Sequence, residues 1–272
     1  MDKNTLIGAL LIGAVLIGFT WFSKPDPTQS PAPTPQDTTQ LVTQAPAPVS
    51  GASSTDSASL DSLGAPVLPP YLQPAQERIV ELKNEKLSVK LSTKGGAPVE
   101  AVLADYLDQS KKPVHLFRKG DARLDLPLRT LENRLVSTAD ANFSVVESTD
   151  STAVLRMQID DVAYLDYAYK LRPADYRVDL VIRGHELRRF LPVNIALQDI
   201  EWTQRIPQQE QSWKFEGQYS GVYYHFPQGD VDRLETTSES SEDVQETLRW
   251  VAFKDKYFSS ALIASATGFK DN

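Results

Sequence analysis

TAVLRMQIDDVAYLDYAYKLRPADYRVDLVIRGH, residues 152–185, alternates apolar and polar side chains with a period of two. Leu155, Met157 and Ile159 fall on one side of the run, and Arg156 and Gln158 on the other. Leu165, Tyr167, Tyr169 and Leu171 follow, then Tyr176, Val178, Leu180 and Ile182. Successive side chains of a strand point to opposite faces, so this spacing predicts strands with one buried face. Arg172-Pro173-Ala174-Asp175 separates the last two sets; Pro removes a donor and Asp favours turns, which makes the pair a hairpin. Upstream, Leu87, Val89 and Leu91 alternate with Ser88 and Lys90 in the same way. After Gln76 no amphipathic run reaches the length of an ordinary helix, and the nearest candidate, Gly184 to Phe190, is too short. A chain so patterned is expected to be mainly β, as packed antiparallel sheets.

Toward the amino terminus the pattern disappears. Thr5 to Phe22, TLIGALLIGAVLIGFTWF, is eighteen residues without a charge, about the minimum that crosses a bilayer as a helix. A cleaved secretory signal would need a basic start, a shorter apolar core and small residues at the cut. Here Asp2 offsets Lys3, and bulky Trp21 and Phe22 end the core. Residues 1–23 are therefore expected to form an uncleaved transmembrane anchor, in contact with lipid through residues 5–22. Lys3 and Lys24 flank it evenly, so charge does not orient it. From 24 to 76 the composition turns to Pro, Ser, Thr, Gln and Ala, with eleven of the eighteen prolines. Too little apolar surface is available there to offset ordering entropy, which predicts a disordered tether. A flexible coil of that length reaches roughly 40 Å. Residues 77–272 remain for one β domain, of a size that supports a single core.

Composition closes several functional classes. Lys and Arg number 28 against 36 Asp and Glu, for a net charge of −8, the wrong sign for a nucleic-acid partner. Cysteine is absent, which removes disulfides, thiolate metal sites and Cys nucleophiles. The three histidines, His115, His185 and His225, are far apart and lack metal-ligand spacing. No G-x-S-x-G, H-E-x-x-H, P-loop or G-x-G-x-x-G pattern occurs. Asp160-Asp161 and Glu242-Asp243 are adjacent carboxylates, which on a strand point apart and cannot flank one substrate. Glu235 to Glu246 carries five acids and no base; without spaced ligands it reads as a solvated loop. Gly95-Gly96 after a strand suggests a turn or bulge rather than an anion cradle. Arg183, Arg188 and Arg189 are the densest basic group and read as a solvated hairpin. Trp213 to Phe226, WKFEGQYSGVYYHF, concentrates aromatic residues and is expected to supply strand core. These readings place no catalytic, cofactor or metal site in the chain.

Several of these segments, taken in order, resemble the amino-terminal part of the YidC family of membrane protein insertases, the bacterial Oxa-like proteins. MDKNTLIGALLIGAVLIGFTWF is similar to the family's uncleaved first transmembrane helix in Bacteroidetes-type members. LSVKLSTKGGAPVEAVLADY, residues 87–106, is similar to its first strands and double-glycine turn. RWVAFKDKYFSSALIA, residues 249–264, resembles its W-V-A-x-x-x-K-Y-F segment, the most specific match. Trp250 to Phe253 reads as a strand, 254–256 as a polar turn, and Tyr257 to Ala264 as the returning strand. Gly95, Gly96, Trp250, Lys256, Tyr257 and Phe258 are accordingly assigned structural roles, the aromatic ones as core.

The resemblance implies a periplasmic β-supersandwich of the galactose mutarotase-like kind, on a helix whose amino end is cytoplasmic. It implies a part in inserting nascent membrane proteins, alone or beside Sec translocon components, without nucleotide or metal. The family's working part is a later five-helix bundle with an arginine in an intramembrane groove. No second run of about eighteen apolar residues follows Phe22, so the arginine has no counterpart here and the sandwich is expected to lack closing strands. The alternative expectation is a membrane-tethered carbohydrate-binding or mutarotase-like protein. Such proteins share the supersandwich but use a His and an acid in a sugar cleft, a pattern that neither His185 nor His225 matches. A plain envelope scaffold is a third reading.

Overall fold

In the computed structural model, the described residues are 68–272 apart from 194–197, 236–237 and 266, and apart from the side chains of Trp213 and Glu235. The anchor expected at 5–22 and nearly all of the tether lie outside them. Among the described residues no helix is long and apolar enough to cross a membrane.

Four strands open the fold: β1 (Ile79–Lys83), β2 (Leu87–Ser92), β3 (Pro98–Leu107) and β4 (Pro113–Phe117) form a sheet in sequence order. After β5 (Ala122–Asp125), a small hairpin pairs β6 (Pro127–Arg129) with β7 (Leu135–Ser137). A second meander follows, β8 (Ser144–Ser148), β9 (Thr152–Gln158), β10 (Tyr164–Leu171) and β11 (Val178–His185). β12 (Glu201–Gln204) returns to pair with β5. A short helix, α1 (Trp213–Gly217), leads into β13 (Gly221–His225), β14 (Val231–Glu235), β15 (Trp250–Lys254) and β16 (Ser259–Ile263), ordered 14-13-15-16. Every strand pairing among the described residues is antiparallel. The chain is mainly β, as the period-two pattern predicts.

That pattern sets the core. Val80, Leu82, Leu87, Val89 and Leu91 of the first sheet join Leu155, Met157, Leu165, Tyr167, Tyr169 and Leu171 of the second in one buried cluster. On β10 the alternating Asp166 and Lys170 stay outside it. Each large aliphatic side chain so buried contributes roughly 1.5–3 kcal/mol of transfer free energy. Asp166 instead forms a bidentate ion pair with Arg156 directly across the β9–β10 ladder, at 2.7 and 2.8 Å.

Two details differ from the sequence reading. Tyr176 belongs to the turn rather than to β11 and is 40% exposed, with the Lys86 ammonium 5.3 Å from its ring centre. The turn is two residues longer than its Pro and Asp suggest, with Ala174 at φ +48°. Packed structure also begins ahead of Glu77. Pro69 and Pro70, counted with the tether by composition, start a 3-10 turn over Pro70–Leu72 that buries Tyr71 in the core. The Asn142 amide donates to the Tyr71 carbonyl at 2.7 Å and fixes the segment there. Proline's preset φ serves an ordered turn as readily as a loose tether.

Candidate interaction surface

The double glycine is the first family-like motif the structure explains. Gly95 and Gly96 follow β2 at φ +81° and +66°, conformations that cost a residue with a Cβ. The Gly95 amide donates to the Ala141 carbonyl at 2.8 Å, so it is not free to cradle an anion. The Gly96 carbonyl accepts from the buried Tyr169 hydroxyl at 2.8 Å. A Cβ on Gly95 would stand 2.8 Å from the Ala139 carbonyl oxygen, and one on Gly96 2.8 Å from the Phe143 ring. Both glycines are turn residues jammed against the 138–143 segment.

The second motif, around Lys256, builds a surface. Asp255 closes the β15–β16 turn: one carboxylate oxygen accepts the amides of Tyr257 and Phe258 at 2.7 and 2.6 Å, and its own amide donates to the Phe258 carbonyl. Burial pushes the Asp255 carboxyl above its ordinary range, against the pull of those amides and Lys254, with Glu216 adding to the rise. Glu216, on α1, is also buried and accepts the amides of Gln209 and Glu210 at 2.9 and 3.0 Å. The two carboxylates lock the 209–216 segment and the 255–258 turn, and their rings project outward from this frame.

The sequence reading of Trp213 to Phe226 as strand throughout does not hold. Its first part is α1, with the Phe215 and Glu216 amides donating to Ser212 O, and only Gly221–His225 is strand. In helical geometry residues four apart share a face, and Phe215 and Tyr219 meet edge to face at 5.6 Å. Lys256 lies over three rings, 4.1 Å from Phe215, 4.5 Å from Tyr257 and 6.0 Å from Tyr219. Tyr257 leans on Phe258, which packs edge to face on Tyr106 of β3 at 5.2 Å. The Tyr176 hydroxyl neighbours that of Tyr106. Tyr106, Leu107, Phe215, Tyr219 and Tyr257 are 42–62% exposed. This corrects the core assignment of Tyr257; Phe258 does pack against the core, and Trp250 is half-buried, stacked on His225 at 5.4 Å. A continuous aromatic ridge, with a lysine on a ring near each end, crosses from the β10–β11 turn to the β15–β16 turn and α1.

The other singled-out residues do not converge. His115, His185 and His225 sit on β4, β11 and β13, in three different sheets. Burial holds the His115 imidazole below its ordinary range. His185 stacks on Tyr164 at 4.7 Å. Asp160 caps the β9–β10 turn by accepting the Val162 and Ala163 amides, and Glu242 accepts the Tyr224 hydroxyl while Asp243 lies exposed. Arg188 and Arg189 fall in a 3-10 turn over Leu187–Arg189 after β11, and Arg183 is exposed on that strand. Among the described residues no group of three His, Asp or Glu could hold a metal ion.

Residues 79–272 match the YidC periplasmic domain. The chain belongs to the YidC family. Over 98% of its length it is 44% identical to the membrane protein insertase YidC of Porphyromonas gingivalis, of which it covers 44%. It is 34% identical to the same-named protein of Parabacteroides distasonis over 99% of its length, 45% of that protein. For Phocaeicola vulgatus the figures are 33%, 97% and 43%. The chain thus spans less than half the length of these curated relatives.

Proposed function

We propose that this chain is the amino-terminal anchor and periplasmic domain of a membrane protein insertase, acting as scaffold and docking surface, not as the inserting element. The observation that carries it is the match of residues 79–272 to a periplasmic domain, in a chain whose relatives of the same name are more than twice as long. In this reading residues 5–22 span the inner membrane with the amino end in the cytoplasm. Residues 24–67 form the tether and the β domain works in the periplasm, where Sec components or periplasmic loops of nascent membrane proteins dock on it.

Site-specific photocrosslinking in bacterial membranes tests the docking role, with the crosslinker placed at exposed positions such as Tyr219 and Val231. Capture of translocon subunits or nascent membrane proteins is the expected outcome; capture of neither sinks the docking role. An alkaline phosphatase fused after Asn272 should be active, because that enzyme folds only outside the cytoplasm, and an inactive fusion of normal abundance would overturn the topology.

A further inference from the structure

We propose that the aromatic ridge is a lipid-contact surface that lays this domain against phospholipid headgroups. The inference rests on the tethered, membrane-facing reading above. Three features of the ridge point to a bilayer rather than to solvent. Its chemistry is that of an interface: amphipathic tyrosine rings settle at headgroup depth, and lysines reach past apolar surface to keep their charge in water. Its rings are held by a rigid frame, because one Asp255 oxygen and both Glu216 oxygens accept backbone amides beneath them. Ordered rings lose little conformational freedom on contact.

Charge supplies the orientation. Asp255 and Glu216 are buried; the acids beside the ridge are Asp105 and Glu210, with Glu85, Asp108 and Asp175 next in sequence to Lys86, Leu107 and Tyr176. Lys86 and Lys256 lie on its rings, and Lys214 precedes Phe215. With Arg177 paired to Asp175, acids and bases beside the ridge nearly balance, in a chain of net charge −8. An anionic headgroup surface is repelled less by this face than by the molecule as a whole. The sequence supplies proximity: about forty-five residues separate Phe22 from Leu68, a reach of roughly 40 Å. Contact is then intramolecular with respect to the membrane, and a weak surface suffices.

The absence of cysteine makes the test direct. The full chain carrying Ser259→Cys, an exposed position next to Phe258, is labelled with a fluorophore. It is reconstituted into phosphatidylcholine–phosphatidylglycerol vesicles containing a lipid-borne spin quencher. Asp161→Cys, in the β9–β10 turn at the opposite end of β10 from Tyr176, is the control. The label at 259 should be quenched several-fold more than that at 161. Phe215→Ser with Tyr257→Ser should abolish the difference, as should Lys86→Glu with Lys256→Glu, which reverses the charge of the two lysines that lie on the ridge's rings. Equal quenching at the two positions, or quenching indifferent to both double variants, overturns the proposal. Crosslinking of two chains through 259 that accounts for the signal overturns it in favour of a second copy. If the chain is not retained by vesicles, the tethered reading falls with it; if it is retained but unquenched, only the ridge does.

Discussion

Replacing Gly96 by alanine separates the two reasons a glycine stands at that position. The first is conformational: φ is +66°, and a Cβ in the left-handed region costs about 1–2 kcal/mol. The second is steric, since the new methyl would lie 2.8 Å from two Phe143 ring carbons and 2.9 Å from a third. Relieving it by shifting an aromatic ring in a packed core adds about 1–3 kcal/mol. The sum is about 2–5 kcal/mol, and at an m value of roughly 2–3 kcal/mol/M it moves the urea midpoint down by about 1–2 M. Gly120 is the internal control: its φ is +93°, yet a Cβ there meets nothing within 4 Å, so Gly120→Ala carries the conformational cost alone. Urea titrations of the full-length variants in mild detergent, followed by far-UV circular dichroism, measure both. Phe143→Leu in the Gly96→Ala background vacates part of the ring's space and should recover part of the loss, giving a favourable coupling energy in the double-mutant cycle. Equal midpoints for Gly96→Ala and Gly120→Ala, or no coupling to position 143, would refute the packing argument and leave only the turn.

Three further outcomes follow from buried polar groups. Tyr169→Phe removes the hydroxyl that donates to Gly96 and strands a carbonyl in the core; a loss of about 1–2 kcal/mol is expected in the same urea assay. Asp125 is buried, which pushes its carboxyl up, but the Ser137 hydroxyl, the Ala139 amide, the Thr138 hydroxyl and Arg123 outweigh that and hold it below its ordinary range. A folded pKa depressed in this way contributes stability above the unfolded value near 3.9 that is lost as pH falls through the folded one. Asp125→Asn should therefore lower the stability at pH 7 by about 2–3 kcal/mol and flatten its fall on acidification, read from urea midpoints at stepped pH. Asp255 behaves oppositely: its raised carboxyl loses stability as pH rises from its unfolded to its folded pKa. Both its amide donors share one oxygen, which an amide side chain also offers. Asp255→Asn is expected to leave the pH 7 midpoint unchanged or higher, whereas Asp255→Ala costs about 1–3 kcal/mol.

The sandwich was legible because alternation and burial have a common cause. Leu155, Met157, Leu165, Tyr167 and Tyr169 face inward for the same reason that Arg156 and Asp166 between them do not: a strand at a core surface divides its side chains by parity. The β15–β16 hairpin was legible too, since Lys254-Asp255-Lys256 breaks a run of strand formers, but its turn runs over 255–258 and keeps Tyr257 and Phe258 out of the returning strand. Illegible were features whose partners are far away in sequence. Tyr71 enters the core only because Asn142 and Phe190 are there to receive it. Nor does anything near Gly96 reveal the Phe143 ring that forbids a methyl.

The ridge was missed for a more specific reason. Aromatic density in WKFEGQYSGVYYHF suggests strand, and for Gly221–His225 it is strand. Yet Phe215 and Tyr219 stand four apart with Glu216 between them, a helical spacing, and Ser212 lies three residues before Phe215 to start the turn. A strand over 213–219 would have sent Phe215 and Tyr219 to one face together with Gly217, and Glu216 to the other. The helix does something else with the same residues. It sends Glu216 down to the buried amides of Gln209 and Glu210 and turns the two rings outward to meet Lys256. Burying the carboxylate and exposing the rings inverts the usual preference of both residue types. The inversion is stabilised inside by hydrogen bonds to Glu216, and outside it leaves apolar rings in water. A fold that needed only stability would have kept the rings and shed the carboxylate, so the arrangement is best understood as holding those rings ready for a partner.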